Sequence, residues 1–513
     1  MALIIAGRIV PMSSTDPAAT FTGRVYLGDD GLVAAVTAGT TAAPAGFSNA
    51  PVVDTGGALV IPGLIDLHNH LGYNALPLWA EPTQKKPFLH HNDWPTKPSY
   101  KPNISWPAYV LAKAEPEALL AYVQARALVG GTTAIQGWPA VNRPVEMVLR
   151  NIDDEKADAT TRNLIYTSVI TETPLQLAHT AQLMGQGAGF IYHCAEGQPG
   201  SVVAREFTDV ANAGCLEKKL IAIHCNAVAD SDWQSWQPSD AGTVVWSPFS
   251  NLWLYGVTTN IPAAQARKLS ICLGSDWGPS GTKHVLGELK VAKIVSQKQN
   301  FKLTDQDLVA MVTSNPGDAL ARCWSRQIGR LVQGSFGDVT VLRSGGNGDV
   351  WSQIVNATEK DVMLVVVKGI PRYGDATAMT KAGAGPSATL NVSGRQRRLA
   401  IPDPTDNTKA FQWNDIVTRF NGVRKDPAAA LQRAKDRSRG FAGPISAPEA
   451  PLELALDMPS GDSMAFAGPP PNPANVVIPS LPTLVHDKAF FSDVHRLGFH
   501  GGVLDGLADF YKE

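Results

Sequence analysis

The order of apolar and polar positions divides the chain into four regimes. Over residues 1–58, short β-rich runs ("LIIAGRIV", "GRVYLGDDGLVAAVTAG", "PVVDTGGALV") alternate with Gly and Asp turns, a pattern that predicts hairpins of a small antiparallel sheet. From 59 to 329 apolar runs are separated by helix-like segments, the rhythm of βα units around a parallel sheet. Eight of these runs read as strands: 59–68, 132–137, 145–152, 164–170, 189–194, 220–225, 243–247 and 269–276. The spacing of the third, "VEMVLRNI", suits a short helix as well. Eight such units predict an α/β barrel of the TIM type.

Hairpin-like runs return over 330–377 ("SFGDVTVL", "DVMLVVVKGIPRYG"), so the barrel is expected to be an insertion in a split small β-domain. Residues 378–513 turn rich in Ala, Pro and Gly, with one helical stretch near "PAAALQRAKDRSR". They predict an appended, partly extended region.

Composition narrows the class without naming a function. A chain of 513 residues is too long for one hydrophobic core, and its 44 basic and 46 acidic residues leave a net charge of -2. That balance provides no basic field for nucleic acid, and no 18-residue apolar window suggests a membrane span, so a small molecule is the expected partner. "MALIIAGRIV" is too short an apolar run for a signal segment and is interrupted by Arg8. Five widely spaced cysteines (Cys194, Cys215, Cys225, Cys272 and Cys323) read as reduced core thiols, which suits the cytoplasm.

Candidate chemistry concentrates where the apolar runs end. In "PGLIDLHNH" His68 and His70 stand at i and i+2, so both point to one face of a strand and can converge on one ion. His193 in "FIYHCAEG", His224 in "LIAIHC" and Asp276 in "ICLGSD" also close apolar runs, and barrel enzymes gather their reactive groups at the C-terminal ends of different strands. Any one of them alone reads as a hydrogen-bonded core histidine or a capping aspartate. Five together argue against that reading.

"PGLIDLHNH", "GGTTAIQG", "YHCAEG", "IHC", "WSPFSNL" and "LGSD" follow one another in the order seen in the amidohydrolase superfamily. Over roughly residues 1–375 the chain most resembles the deaminase and chlorohydrolase-like branch of that superfamily. The resemblance implies a distorted (β/α)8 barrel with a split β-sandwich, and a metal ion at the barrel mouth. It implies that His68, His70, His193 and Asp276 bind one divalent ion with His224 beside it, and that Glu196 is the acid/base glutamate. Binuclear relatives use a strand lysine, whereas the only lysine between residues 114 and 216 is Lys156, in a polar loop; one ion is therefore expected. Zinc suits this set, and iron(II) suits the same imidazoles.

The chemistry agrees with the implied set. Metal-activated water supplies a nucleophile, Asp276 accepts its proton, His224 polarises the electrophile and Glu196 protonates nitrogen. The expected reaction is hydrolysis of a C–N bond, deamination first, in a small cyclic or amidine-like compound. Ring opening of a cyclic amide and dehalogenation are the alternatives, and a non-enzymatic assembly role is a further one.

The loop 71–107 holds Tyr73, Trp79, Trp94, Tyr100 and Trp106, which either cover a flat substrate or pin the loop, and an oligomer contact is a third use. Tyr73, Trp138, His224 and Trp277 are the expected substrate contacts, with Ser280 or Lys283 able to reach a substrate or to cap a helix. His90-His91 is a poor metal pair, because adjacent loop residues seldom ligate one ion.

Overall fold

The computed structural model describes residues 2–39, 41–137, 147–153, 165–169, 171–324, 326–345, 348–440 and 482–512. It is a mixed α/β structure. Four N-terminal strands, β1 (Leu3–Ile9), β2 (Phe21–Leu27), β3 (Val33–Ala38) and β4 (Val52–Pro62), precede a parallel-stranded region. Its strands are β5 (Leu64–Asp66), β6 (Thr132–Ile135), β7 (Arg150–Asn151), β8 (Ile165–Ser168), β9 (Gly189–Cys194), β10 (Leu220–His224), β11 (Thr243–Trp246) and β12 (Ser270–Leu273). Each lies within a run that the hydrophobic pattern marks as a strand, including the ambiguous third, of which only two residues pair.

The parallel strands form two sheets among the described residues, β5-β6-β7 and β12-β11-β10-β9-β8. They meet where Asn69, just beyond β5, bridges in parallel to Asp276, just beyond β12. Two main-chain hydrogen bonds make that junction: Asp276 N–H donates to His68 O (3.0 Å) and His70 N–H to Asp276 O (3.1 Å). Almost every side chain of β9 to β12 is buried on both faces, as expected of parallel strands under helices.

The first and third regimes pair with each other. Strands β13 (Val339–Leu342), β14 (Val362–Val367) and β15 (Ile370–Asp375) join β1–β4 in one nine-stranded sheet of order β16-β17-β15-β14-β13-β4-β1-β2-β3. Pairing continues past residue 377 through β16 (Ala388–Val392) and β17 (Arg395–Leu399). This sheet is tied to the parallel region by Arg150 of β7, whose guanidinium bonds Asp338 (2.6 Å) and lies 3.7 Å from the Phe336 ring centroid.

The C-terminal segment returns to the parallel region. Lys283 donates to Asp487 Oδ2 (2.5 Å) and Thr483 O (2.6 Å), and the His500 ring stacks on Trp253 at 6.1 Å and 8°. Among the described residues, no helix is long and apolar enough to cross a membrane. All five cysteines are buried and unpaired.

Candidate metal-binding site

Four strand ends deliver the polar residues, and at three of them the backbone turns sharply. Ala195, His224, Cys225 and Asp276 all have positive φ (53°, 66°, 54° and 60°), a left-handed conformation that costs non-glycine residues on the order of 1 kcal/mol or more. These turns end β9, β10 and β12. Gly274 permits the last approach: a Cβ there would lie 2.4 Å from His68 Cβ, so only glycine lets β12 pass so close to β5.

Buried Asp66 locks the same crossing, accepting from Ser275 N–H (3.0 Å), Ser275 Oγ (2.5 Å) and Asn69 Nδ2 (3.2 Å). Burial, partly offset by the Ser275 bonds, raises its pKa to about 6.

The turns bring His68, His70, His193, His224, Glu196 and Asp276 into one buried group, none more than 6 % exposed. Asp276 Oδ1 lies 3.2 Å from His68 Nε2 and 3.6 Å from His70 Nε2. His193 Nε2 and His70 Nε2 face each other at 3.2 Å. Ligand atoms of His68, His70 and Asp276, and those of His68, His193 and His224, lie within 4.8 Å of one another in each set.

Three observations match this group to a cation. Burial, reinforced by neighbouring imidazoles, holds His70, His193 and His224 well below the ordinary histidine range, leaving neutral rings with lone pairs. His193 Nδ1 faces Ser168 O at 3.3 Å, which assigns the ring proton to Nδ1 and leaves Nε2 bare toward His70. Neither nitrogen of His68 makes a well-formed hydrogen bond although both are buried, a deficit of about 1–3 kcal/mol unless an ion fills it. Asp276 is a carboxylate there: burial opposes ionisation, but His68, His70 and Ser250 outweigh it and lower its pKa.

His224 differs from the other histidines. The Asn251 amide nitrogen stands 3.0 Å from its Nδ1, so Nδ1 accepts and the ring proton sits on Nε2. That N–H faces Glu196 Oε1 at 3.7 Å. Glu196 itself is pushed up to about 8 by burial and by Asp276, against the opposing Tyr255 hydrogen bond.

The other expected residues separate into groups. Tyr73 packs edge-on against Trp277 (5.5 Å, 78°), and Trp277 leans on Trp94 (5.2 Å) while its Nε1 bonds Ser280 Oγ. Tyr100 and Trp79 continue this cluster from loop 71–107. Two further tryptophans near strand ends, Trp246 and Trp253, are committed to packing, with their indole N–H groups on Thr258 Oγ1 and Trp79 O. Lys283 points to the C-terminal segment, as given above, rather than to the histidines. Trp138 and Lys156 lie outside the described residues.

Sequence reasoning missed Tyr255 and Asn251, which the fold places here, and considered His91 only as half of a poor metal pair. Tyr255, at the end of the helix Pro248–Tyr255, donates to Glu196 Oε1 (2.6 Å), and Asn251 of the same helix sets the His224 tautomer. His91 Nδ1 lies 3.7 Å from Glu196 Oε2, because loop 71–107 is zipped to the β9 exit: His91 N–H donates to Glu196 O (3.1 Å) and Gln198 N–H to Leu89 O (2.8 Å). The doubled histidine "HH" was a visible signal for His91, and the asparagine of "WSPFSNL" one for Asn251.

Known proteins share this architecture. No family model matches the chain. It is 23 % identical over 426 residues to the 5-methylthioadenosine/S-adenosylhomocysteine deaminase of Symbiobacterium thermophilum (73 % of this chain, 93 % of that protein). The Clostridium tetani enzyme of the same name is 20 % identical over 361 residues (63 % and 82 %). Among solved structures, a zinc-bound adenosine deaminase from Xanthomonas campestris superposes with a TM-score of 0.58 at 18 % identity (86 % of this chain, 99 % of that one). A mutant atrazine chlorohydrolase from Arthrobacter aurescens, complexed with zinc, gives 0.55 at 14 % (82 % and 99 %). The fold is thus a mixed α/β one, similar to those of these two structures. In sequence, too, the relatives that it matches over most of its length are deaminases.

Proposed function

We propose that this protein is a metal-dependent hydrolase that deaminates a small nitrogen heterocycle. The observation that carries the reading is the buried group in which His68 and His70 converge on Asp276 and His193 faces His70, with protonatable Glu196 buried alongside. We assign His68, His70, His193 and Asp276 as ligands of one divalent ion, zinc first and iron(II) second. Such an ion supplies water activated for attack near neutral pH.

The chain's own residues do the rest. Asp276 accepts a proton from the nucleophile. Glu196, protonated in its buried site, delivers a proton to a ring nitrogen and later to the departing amine. His224 offers its Nε2–H to the oxygen that gains charge. We assign Tyr73 and Trp277 as contacts for a flat substrate.

We further read the eight parallel strands as one distorted (β/α)8 barrel spanning 59–329. It is inserted between 1–58 and 330–377 of a split β-sandwich and followed by an extension over 378–513, whose first strands, β16 and β17, continue the same sheet. The Asn69–Asp276 bridge supports closure at one seam. Five unpaired thiols support a cytoplasmic setting.

The test is a panel of 5′-methylthioadenosine, adenosine, guanine, a cyclic amide and a chlorinated triazine with zinc-loaded protein. Ammonia release is the expected result. A ring-opened acid without ammonia, or halide release, would replace deamination by one of the alternatives. Glu196→Gln is expected to lose about 10²–10⁴-fold in rate, the usual worth of a general acid/base. Full activity in that variant would remove Glu196 from the chemistry.

A further inference from the structure

We infer that Tyr255, held by Trp94, is a positioning residue that dictates which oxygen of Glu196 carries the acidic proton; this rests on the acid/base role proposed above for Glu196. The argument is one of hydrogen-bond direction. Trp94 Nε1 lies 3.0 Å from the Tyr255 hydroxyl, and an indole N–H can only donate. The Tyr255 oxygen therefore accepts from Trp94. Its own proton has one acceptor in reach among the described residues, Glu196 Oε1 at 2.6 Å. Oε1 is thereby fixed as an acceptor, and a protonated Glu196 carries its proton on Oε2.

Oε2 accepts no hydrogen bond among the described residues, and the loop residue His91 stands 3.7 Å from it. The free oxygen is thus the one that bears the proton to be donated. Each member of the chain is held from outside. Trp94, in loop 71–107, packs on Tyr100 of the same loop and on Trp277 beyond β12, and Tyr255 closes a helix whose other residues are all buried. Packing of the aromatic loop is thereby coupled to the direction of a proton, by two hydrogen bonds in a buried setting where unpaired groups are costly.

The experiment uses the zinc-loaded full chain with 5′-methylthioadenosine, or whichever panel member releases ammonia. Tyr255→Phe is expected to lower kcat about tenfold with KM within about twofold. In a Glu196→Gln background the same change is expected to add no further loss, because its effect runs through Glu196. Trp94→Phe, which keeps a ring but removes the donor, is expected to give a smaller loss of about threefold by the same logic. It serves as the second variant if Tyr255→Phe does not fold.

Infrared difference spectra of protein with 13C-labelled glutamate, referenced to Glu196→Gln, give a readout independent of any substrate. Loss of the Tyr255 bond is expected to raise the Glu196 carboxyl stretching frequency. An unshifted band, or a Tyr255→Phe loss that persists undiminished in the Glu196→Gln background, would overturn the proposal. A shifted band in a protein that hydrolyses nothing on the panel would uphold the hydrogen-bond chain and reject the deaminase reading instead.

Discussion

Gly274→Ala is the sharpest perturbation of the site that leaves every polar residue in place. The new Cβ would stand 2.4 Å from His68 Cβ and 2.9 Å from His68 O, where ordinary contact begins at 3.4 Å. The shortfall is about 1 Å, and neither neighbour is the end of a flexible side chain, so β12 must move away from β5. Two residues later that strand delivers Asp276, whose Oδ1 is 3.2 Å from His68 Nε2 and 3.6 Å from His70 Nε2.

Metal sites tolerate departures of roughly 0.2 Å, so a shift of this size would remove Asp276 from the proposed shared ion. Overpacking of this kind costs about 1–3 kcal/mol of stability. The zinc affinity should fall about 10–100-fold, the usual result of disturbing the groups that orient a ligand. Urea unfolding of the chelated protein measures the first effect, and competition with a chromophoric chelator the second. Zinc affinity within twofold of wild type, beside the expected loss of stability, would show that the Gly274 crossing does not set the ligand geometry.

Three further outcomes are expected. Restoring zinc to chelated protein at about 100 times its Kd should stabilise it by about 2.7 kcal/mol, and His68→Ala should abolish the shift in thermal unfolding. Arg150→Met leaves Asp338 buried without its 2.6 Å partner and should cost about 3–5 kcal/mol in urea unfolding; a change under 1 kcal/mol would mean that this tie between the two sheets is dispensable. Lys290 is lowered from 10.5 to about 7 by burial, only partly opposed by Glu359 and Asp361, while its Nζ donates to Leu286 O (3.0 Å) and Ala357 O (2.5 Å). Between those pH values the unfolded chain holds a proton that the native state lacks, so this group makes stability rise with pH from about 7 toward 10.5. Lys290→Met should flatten that rise in urea midpoints measured at pH 7 and 9, and an unchanged slope would contradict it.

What the chain reveals before folding is what is decided locally. A strand ends where its apolar alternation ends, so the positions of His68, His193, His224 and Asp276 at strand ends are legible in the order of residues. The eight parallel strands were legible for the same reason. Lys283 was not: its position after Asp276 suggests a substrate contact, yet its partner is Asp487 in a segment that returns from the far end of the chain.

The partners of Tyr255, Asn251 and His91 were hidden for a related reason. Tyr255 and Asn251 meet their partners only because a helix packs across strand ends at one angle, and His91 only because loop 71–107 folds back onto the β9 exit. Periodicity carries the direction of a side chain within an element but not the docking of one element on another. The sequence alone therefore determined which residues could meet at the strand ends. The tertiary structure decided their protonation and pairing, because burial, tautomer and hydrogen-bond direction depend on neighbours that only packing supplies.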